Sequence, residues 1–443
     1  MNIQLSDHFT YKKLLRFTLP SIAMMIFTSV YGVVDGFFVS NFVGKVEFTA
    51  VNFIMPLLMI LSTVGFMLGT GGSALIGKTL GEGDKEKANR QFSLIVYAAI
   101  LLSVIISVAG LLILRPVAYA LGAEGELLDD CVTYGRIILL ALPFFTLQVE
   151  FQSLFVTAEK PTLGLYMTLV TGVANMVLDA VLVGILPLGL EGAALATALS
   201  QAIGGVVPLI YFAIPNSSLL RLGKTKYDGQ ALLRTCTNGS SELMSTVSMS
   251  LVGMLYNIQL LKYAGEDGVA AYGVLMYVNM VFVAIFFGYT MGMAPVTSFH
   301  YGANNTDELK SLLKKSLVIV GISSVLMVIS SILLAKPLSL LFASNHSDLL
   351  AMTVRGFYIY SFSFLFSGLA IFGSSFFTAL NNGLVSASIS FLRTLVFQIA
   401  AVMLLPLVWG LDGIWVSVVV AEFAAAALSV IFIFARKNKY HYL

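Results

Sequence analysis

The sequence predicts an all-α integral membrane protein with twelve transmembrane helices, arranged as two parallel six-helix repeats around a central cleft. Three observations carry that prediction. Hydrophobic residues make up 58% of the 443 positions and charged residues 11%, with a mean hydropathy of +0.92, whereas an average soluble chain is about a quarter charged. Apolar runs long enough to cross a bilayer recur along almost the whole length. The second half then repeats the first at a constant offset.

The first run, 14–39, holds two features that are unusual in a membrane helix. Pro20 removes a backbone hydrogen bond near its start and lets the helix bend. Asp35 follows fifteen residues later, still within the apolar run, where a carboxylate costs a few kcal/mol and points to a function. At ~1.5 Å per residue the two are ~22 Å apart, near opposite leaflets. Further spans are expected near 51–76, 92–114, 132–156, 163–186 and 192–213. The second set falls near 235–262, 271–297, 313–335, 353–378, 384–406 and 413–435.

Basic residues assign the sides. With the N-terminus inside, eighteen of the 25 Lys and Arg flank the inner ends of spans. Only Lys45, Arg115, Lys262 and Lys336 lie outside, and Arg136, Arg355 and Arg393 fall within spans. Both termini are therefore expected in the cytoplasm of a cell (plasma) membrane protein. Cys131 and Cys236 fall on opposite sides and cannot pair. The net charge of +2, with no basic cluster interleaved with aromatics, excludes nucleic acid as a partner. No short apolar core with a small-residue cleavage site precedes the first span, so no cleaved signal peptide is expected.

The repeat has an offset of 221 without gaps. It pairs Gly32 with Gly253, Gly44 with Gly265, Gly71 with Gly292, Gly81 with Gly302, Gly135 with Gly356, Gly189 with Gly410 and Gly192 with Gly413. Chance would give roughly two such matches rather than seven. LGLEGA at 188–193 faces WGLDGI at 409–414, and SLFVTA at 153–158 faces SSFFTA at 374–379. Six spans per half make both halves enter from the same side, as parallel repeats. The expected division is 1–213 for the first lobe, 214–234 for a basic linker and 235–443 for the second lobe. Two equivalent bundles with a cleft between them suit alternating access.

Polar residues inside the spans gather in the first half. Asn175 and Asp179 are four residues apart in the fifth span and share a face. Tyr134 opens the fourth span and Thr197 lies one to two turns into the sixth. With alternating helix directions, these residues and Asp35 all fall in the outer half of the first bundle. Their repeat mates are Tyr256, Arg355, Val396, Ala400 and Val418, so the cluster belongs to one half. Two carboxyls close together in low dielectric cannot both ionise readily. Such a pair can take up a proton from outside, or hold Na⁺ with Asn175 and Thr197 as oxygen ligands. The alternative is a pair of buried packing residues. Gly32 and Gly36 flank Asp35 as a GxxxG that admits a close helix neighbour.

The second half offers Glu242 in span seven, Arg393 in span eleven and Glu422 in span twelve. A buried Arg393 needs an acid, which Glu422 or Glu242 can supply as a structural ion pair; acids facing a cavity would instead suit cationic substrates. The run 272–293, with Met276 and Asn279 within it, is rich in Met, Phe and Tyr that repack around apolar cations. Gly72 to Thr79 satisfies GxxxxGK[ST], but that motif needs a strand before its loop; here it ends a span, and Lys78 reads as a membrane-side anchor. No metal cluster or nucleophile–base constellation stands out, so neither a cofactor nor an enzyme is expected.

With these residues in place, the chain resembles the multidrug and toxic compound extrusion (MATE) transporters over its full length. The Pro and Asp of the first helix, the Asn and Asp of the fifth, and the two six-helix halves carry the resemblance. Tyr134 and Thr197 fall where archaeal members place a first-lobe cation site. The resemblance implies that Asp35 and Asp179 are the coupling acids, supported by Tyr134, Asn175 and Thr197. A related branch places an acid in span seven and an Asp in span ten; Glu242 takes the first place, but 357–377 holds no Asp. The implied activity is antiport by a monomer, H⁺ (or Na⁺) entering as an organic, often cationic compound leaves. Flipping of lipid-linked precursors is the alternative within the superfamily, kept open by Arg355 and Arg393. A membrane-embedded enzyme or receptor is the alternative from another class.

Overall fold

The computed structural model describes residues 3–38, 43, 45–186, 188–343 and 347–442, with side chains throughout except at 33, 35–38, 45, 46 and 341–343. The first half contains α1 (Tyr11–Phe38), α2 (Lys45–Gly81), α3 (Lys85–Ala120), α4 (Gly125–Thr157), α5 (Pro161–Asp179) and α6 (Gly189–Ala213). The second contains α7 (Gly229–Gly302), α8 (Thr306–Ala343), α9 (Ser347–Tyr360), α10 (Phe364–Ala379), α11 (Gly383–Phe391), α12 (Phe397–Leu404) and α13 (Pro406–Tyr440). Eleven of the described helical stretches are long and apolar enough to cross a membrane, with α9–α10 and α11–α12 each acting as one. The 74 residues of α7 are two helices meeting at Gly265, where φ is +63°, and this divides the stretch into two crossings. Twelve crossings result, six in each half.

The repeat is visible in the backbone. Gly189 and its mate Gly410 both adopt the left-handed region, at φ +58° and +55°, where a side chain would be strained. Helix starts are shared as well. Asp84 caps α3 through Lys87 N at 2.9 Å, and its mate Asn305 receives Glu308 N at 3.1 Å, each satisfying an otherwise unpaired N–H. The repeat mate of Gly265, Gly44, lies outside the described residues.

Contacts between the halves obey the same offset. A Cβ on Gly81 would collide with the Phe299 carbonyl, and one on Gly302 with the Lys78 carbonyl. These are the same contact seen from each half, because 78 and 81 are the mates of 299 and 302. Bare glycine thus lets the ends of α2 and α7 cross backbone to backbone at the face that carries the chain ends. Asn381 reinforces the crossing: its side chain accepts from Asn238 Nδ2 at 2.8 Å and donates to the Ala74 carbonyl at 3.1 Å.

The segment before α1 lies across that face and touches both halves. Leu5 N donates to Glu159 Oε1 at 2.6 Å, between α4 and α5. Phe9 N donates to Glu308 Oε1 at 2.9 Å in α8, His8 Nδ1 lies 2.6 Å from Glu308 Oε2, and Lys315 Nζ donates to the Phe9 carbonyl. The Leu5 and Phe9 side chains are fully buried. Burial pushes the Glu159 carboxyl above its ordinary range against the opposing Leu5 N–H, while the hydrogen bond from Lys13 holds Asp7 below it.

Two local expectations need correction. The irregular connection between the halves is 214–228 rather than 214–234, because Asp228 Oδ1 accepts from Gln230 N and Ala231 N and starts α7 at Gly229. Tyr134 does not open its span: α4 begins at Gly125, whose positive φ of +58° marks the turn into the helix. The stretch 72–79 is continuous helix within α2, so no phosphate-cradling loop exists there.

Candidate functional site

Asp179 is the last residue of α5, and the chain continues from it into a π-helical turn, Ala180–Ile185. Such insertions recur at functional sites because they re-aim side chains out of the regular helical register. The Asp179 side chain is 0% exposed and Asn175, one turn earlier, is 3% exposed. The Asn175 amide oxygen has no hydrogen-bond partner among the described residues. The polar stripe continues down the same face of α5 through buried Thr171 and Thr168, a spacing of four, four and three residues.

The neighbouring helices bring up the other first-half candidates. Tyr134 of α4 is buried in one cluster with Val183 of the π-helical turn and Leu190 and Ala194 of α6. Thr197 of α6 is half-buried, and its carbonyl accepts from Ser200 Oγ at 2.8 Å. The Asp35 side chain lies outside the described residues. The α1 backbone carries position 35 one turn beyond Tyr31, and a Cβ on Gly172 of α5 would meet the Phe27 ring and lie 3.2 Å from Tyr31 Cδ1. Since α1 and α5 run in the same direction, position 35 sits at the height of Asn175 to Asp179. Pro20 lies inside an unbroken α1 and leaves the Arg16 carbonyl without its helical donor.

One part of this region went unread in the sequence. Gln148 and Gln152 of α4, Thr168 and Thr171 of α5 and Gly204 of α6 border a small recess. Gln152 Nε2 lies 3.4 Å from Thr168 Oγ1, and the Gln148 amide oxygen is buried without a partner among the described residues. The Thr168–Thr171–Asn175–Asp179 spacing was the available signal, since it marks one polar face in an otherwise apolar helix.

In the second half, Arg393 lies in the π-helical turn Leu392–Val396. Its Nε donates to Glu422 Oε2 at 2.9 Å and Oε1 at 3.1 Å, with the two side chains 13% and 8% exposed. Of the two acids the sequence offers, Glu422 is the one within reach. Glu242, Met276 and Asn279 are half-buried, and Glu242 makes no hydrogen bond or ion pair among the described residues. Tyr256, the repeat mate of Asp35, donates to Gln398 Oε1 at 2.7 Å and stacks on Tyr272 at 5.3 Å. Arg355, the repeat mate of Tyr134, is held by both oxygens of Asp412 at 2.8 and 2.5 Å. Neither intramembrane arginine of this half is free. Among the described residues no group of three His, Cys, Asp or Glu could hold a metal ion.

Comparison with known proteins agrees with this architecture. The family model MatE matches twice, over residues 20–181 and 243–404, one match in each repeat. Among curated relatives, a multidrug export protein MepA of Staphylococcus haemolyticus is 26% identical over 438 residues, covering 97% of this chain and 94% of the relative. A Staphylococcus aureus MepA is 22% identical over 431 residues, with the same coverage. Among solved structures, an outward-facing multidrug resistance MATE family transporter of the MOP superfamily superposes with a TM-score of 0.93 at 21% identity, covering 100% of this chain and 99% of that one.

Proposed function

The chain belongs to the MatE family of multi-pass membrane transporters, which are not enzymes, and from that premise we propose that it is a multidrug efflux antiporter driven by cation entry. The relatives named for multidrug export support the substrate class. The face that carries the chain ends holds most of the Lys and Arg, which supports reading it as the cytoplasmic side of the plasma membrane. The protein works as a monomer, and its substrates are small organic, often cationic compounds.

The observation that carries the coupling is Asp179: a fully buried acid at the junction of α5 with a π-helical turn, next to an unpartnered Asn175 oxygen. Asp35 and Asp179 take up H⁺, or hold Na⁺, with Asn175, Tyr134 and Thr197 as supporting oxygens. Loading changes the charge between α1 and α5, which pack directly on one another. It thereby biases α1 about the missing hydrogen bond at Pro20, disfavours the drug-bound outward state and resets the cleft inward. H⁺ is put ahead of Na⁺, which needs a fuller oxygen shell than a proton does.

The pairing of Arg355 with Asp412 and of Arg393 with Glu422 weighs against a flippase, which needs free cations for pyrophosphate. The test is dye efflux from everted vesicles carrying Asp179→Asn or Asp35→Asn. Loss of gradient-driven export with unchanged protein level supports the coupling role. Retained export in both variants removes it.

A further inference from the structure

We infer that the face carrying the chain ends holds a binding site for a phosphate-type anion that also bears hydroxyl groups, seated where α2, α3 and the start of α7 meet. A cavity of about 120 Å³ opens there, bordered by Lys78 and Thr79 of α2, Lys87 and Gln91 of α3, and Gln230 and Arg234 of α7. It joins elements of both halves and lies at the opposite end of the bundle from Asp179.

The lining sets the chemistry of the occupant. Two acids also border the cavity, but each is engaged. Asp228 Oδ1 accepts from Gln230 N at 3.1 Å and Ala231 N at 3.0 Å, and Glu82 lies 3.6 Å from Lys78 Nζ. The Lys78 ammonium also sits 5.5 Å over the Tyr301 ring. Lys87 and Arg234 have no ion pair among the described residues, so two uncommitted cations from different halves face one space. An anion answers to both, and a phosphate accepts from the planar guanidinium fork and from the ammonium together.

Gln91 supplies the independent observation. Its side chain is 7% exposed, and its amide oxygen has no partner among the described residues. A buried acceptor left without a donor is costly, so the ligand must bring a donor as well as negative charge. Inorganic phosphate has its O–H donors only on the group that Lys87 and Arg234 hold, so it meets the second demand poorly. A glycerophosphate meets both, with the phosphate on Lys87 and Arg234 and a hydroxyl on Gln91.

This chemistry has two sources: a glycerol-bearing phospholipid headgroup, which basic pockets between helix ends accept, or a soluble phosphorylated polyol. The test reads binding and so stands apart from the transport reading. The full chain, purified in phosphate-free detergent, is titrated with sn-glycerol 3-phosphate and with inorganic phosphate at matched ionic strength while its thermal unfolding is followed. It is also reconstituted in phosphatidylcholine with or without phosphatidylglycerol.

The expected result is a saturable rise in unfolding temperature with glycerol 3-phosphate or with phosphatidylglycerol, exceeding that with inorganic phosphate. Saturation by the soluble probe assigns a water-side ligand, and a response to phosphatidylglycerol alone assigns a lipid headgroup. The surface double variant Lys87→Gln/Arg234→Gln weakens apparent affinity at least tenfold, and Lys437→Gln leaves it unchanged. Gln91→Leu removes the preference for the hydroxyl-bearing probe. No saturable response to any probe, or a double variant that binds like the wild type, overturns the proposal.

Discussion

Removing Glu422 should destabilise the protein far more than removing Glu422 and Arg393 together. The two side chains are 8% and 13% exposed and meet at 2.9 Å. Glu422→Leu therefore strands a guanidinium in the membrane interior, at a cost of about 3–5 kcal/mol. Arg393→Met strands the carboxylate with a comparable penalty. The double variant removes both desolvation costs and should lie within about 1 kcal/mol of the wild type, giving a coupling energy of about 5 kcal/mol or more. Trp415, one of two tryptophans, is buried two turns before Glu422 on α13. Its fluorescence during stepwise SDS titration in detergent reports the unfolding of that region. Equal losses in single and double variants would refute the reasoning. The same set separates two roles: if the pair is structural, the double variant keeps dye efflux, and if it lines the substrate cavity, efflux falls while stability recovers.

Two further outcomes concern the strap before α1. Phe9→Ala removes a fully buried ring that packs edge-on to Phe17 at 5.9 Å and should cost about 3–5 kcal/mol, read as a lower unfolding midpoint in the same titration. Burial raises the Glu159 carboxyl in the folded state. Its contribution is therefore fully present below the unfolded carboxylate range and is lost as pH rises through the raised value. Glu159→Gln keeps an acceptor for Leu5 N and should flatten that part of the pH–stability curve; an unchanged curve would assign the slope to another group.

The spans and the repeat were legible because bilayer crossing and gene-length repetition leave periodic marks. Apolar runs, basic flanks and glycines at one offset suffice for twelve crossings, and Gly189 with Gly410 shows why those glycines persist: both need a positive φ. Asn175 and Asp179 were legible because polar residues four apart stand out against an apolar helix. The strap was not, since Leu5 meets Glu159 and Phe9 meets Glu308 across 154 and 299 residues, and no local pattern encodes such pairings. The π-helical turns after Asp179 and at Arg393 were hidden for a related reason. Neither AVLVGI nor LRTLV carries a local pattern that marks such a turn.

The central claim is that cation entry at Asp35 and Asp179 drives export. Its most direct measurement is substrate movement in proteoliposomes under an imposed pH gradient, then under a Na⁺ gradient, with wild type and Asp179→Asn compared at equal reconstitution. The account predicts substrate moving opposite to the imposed H⁺ gradient in wild type, or opposite to Na⁺ if that ion is coupled, and none in the variant. Movement that ignores both gradients, or that Asp179→Asn leaves intact, would contradict it.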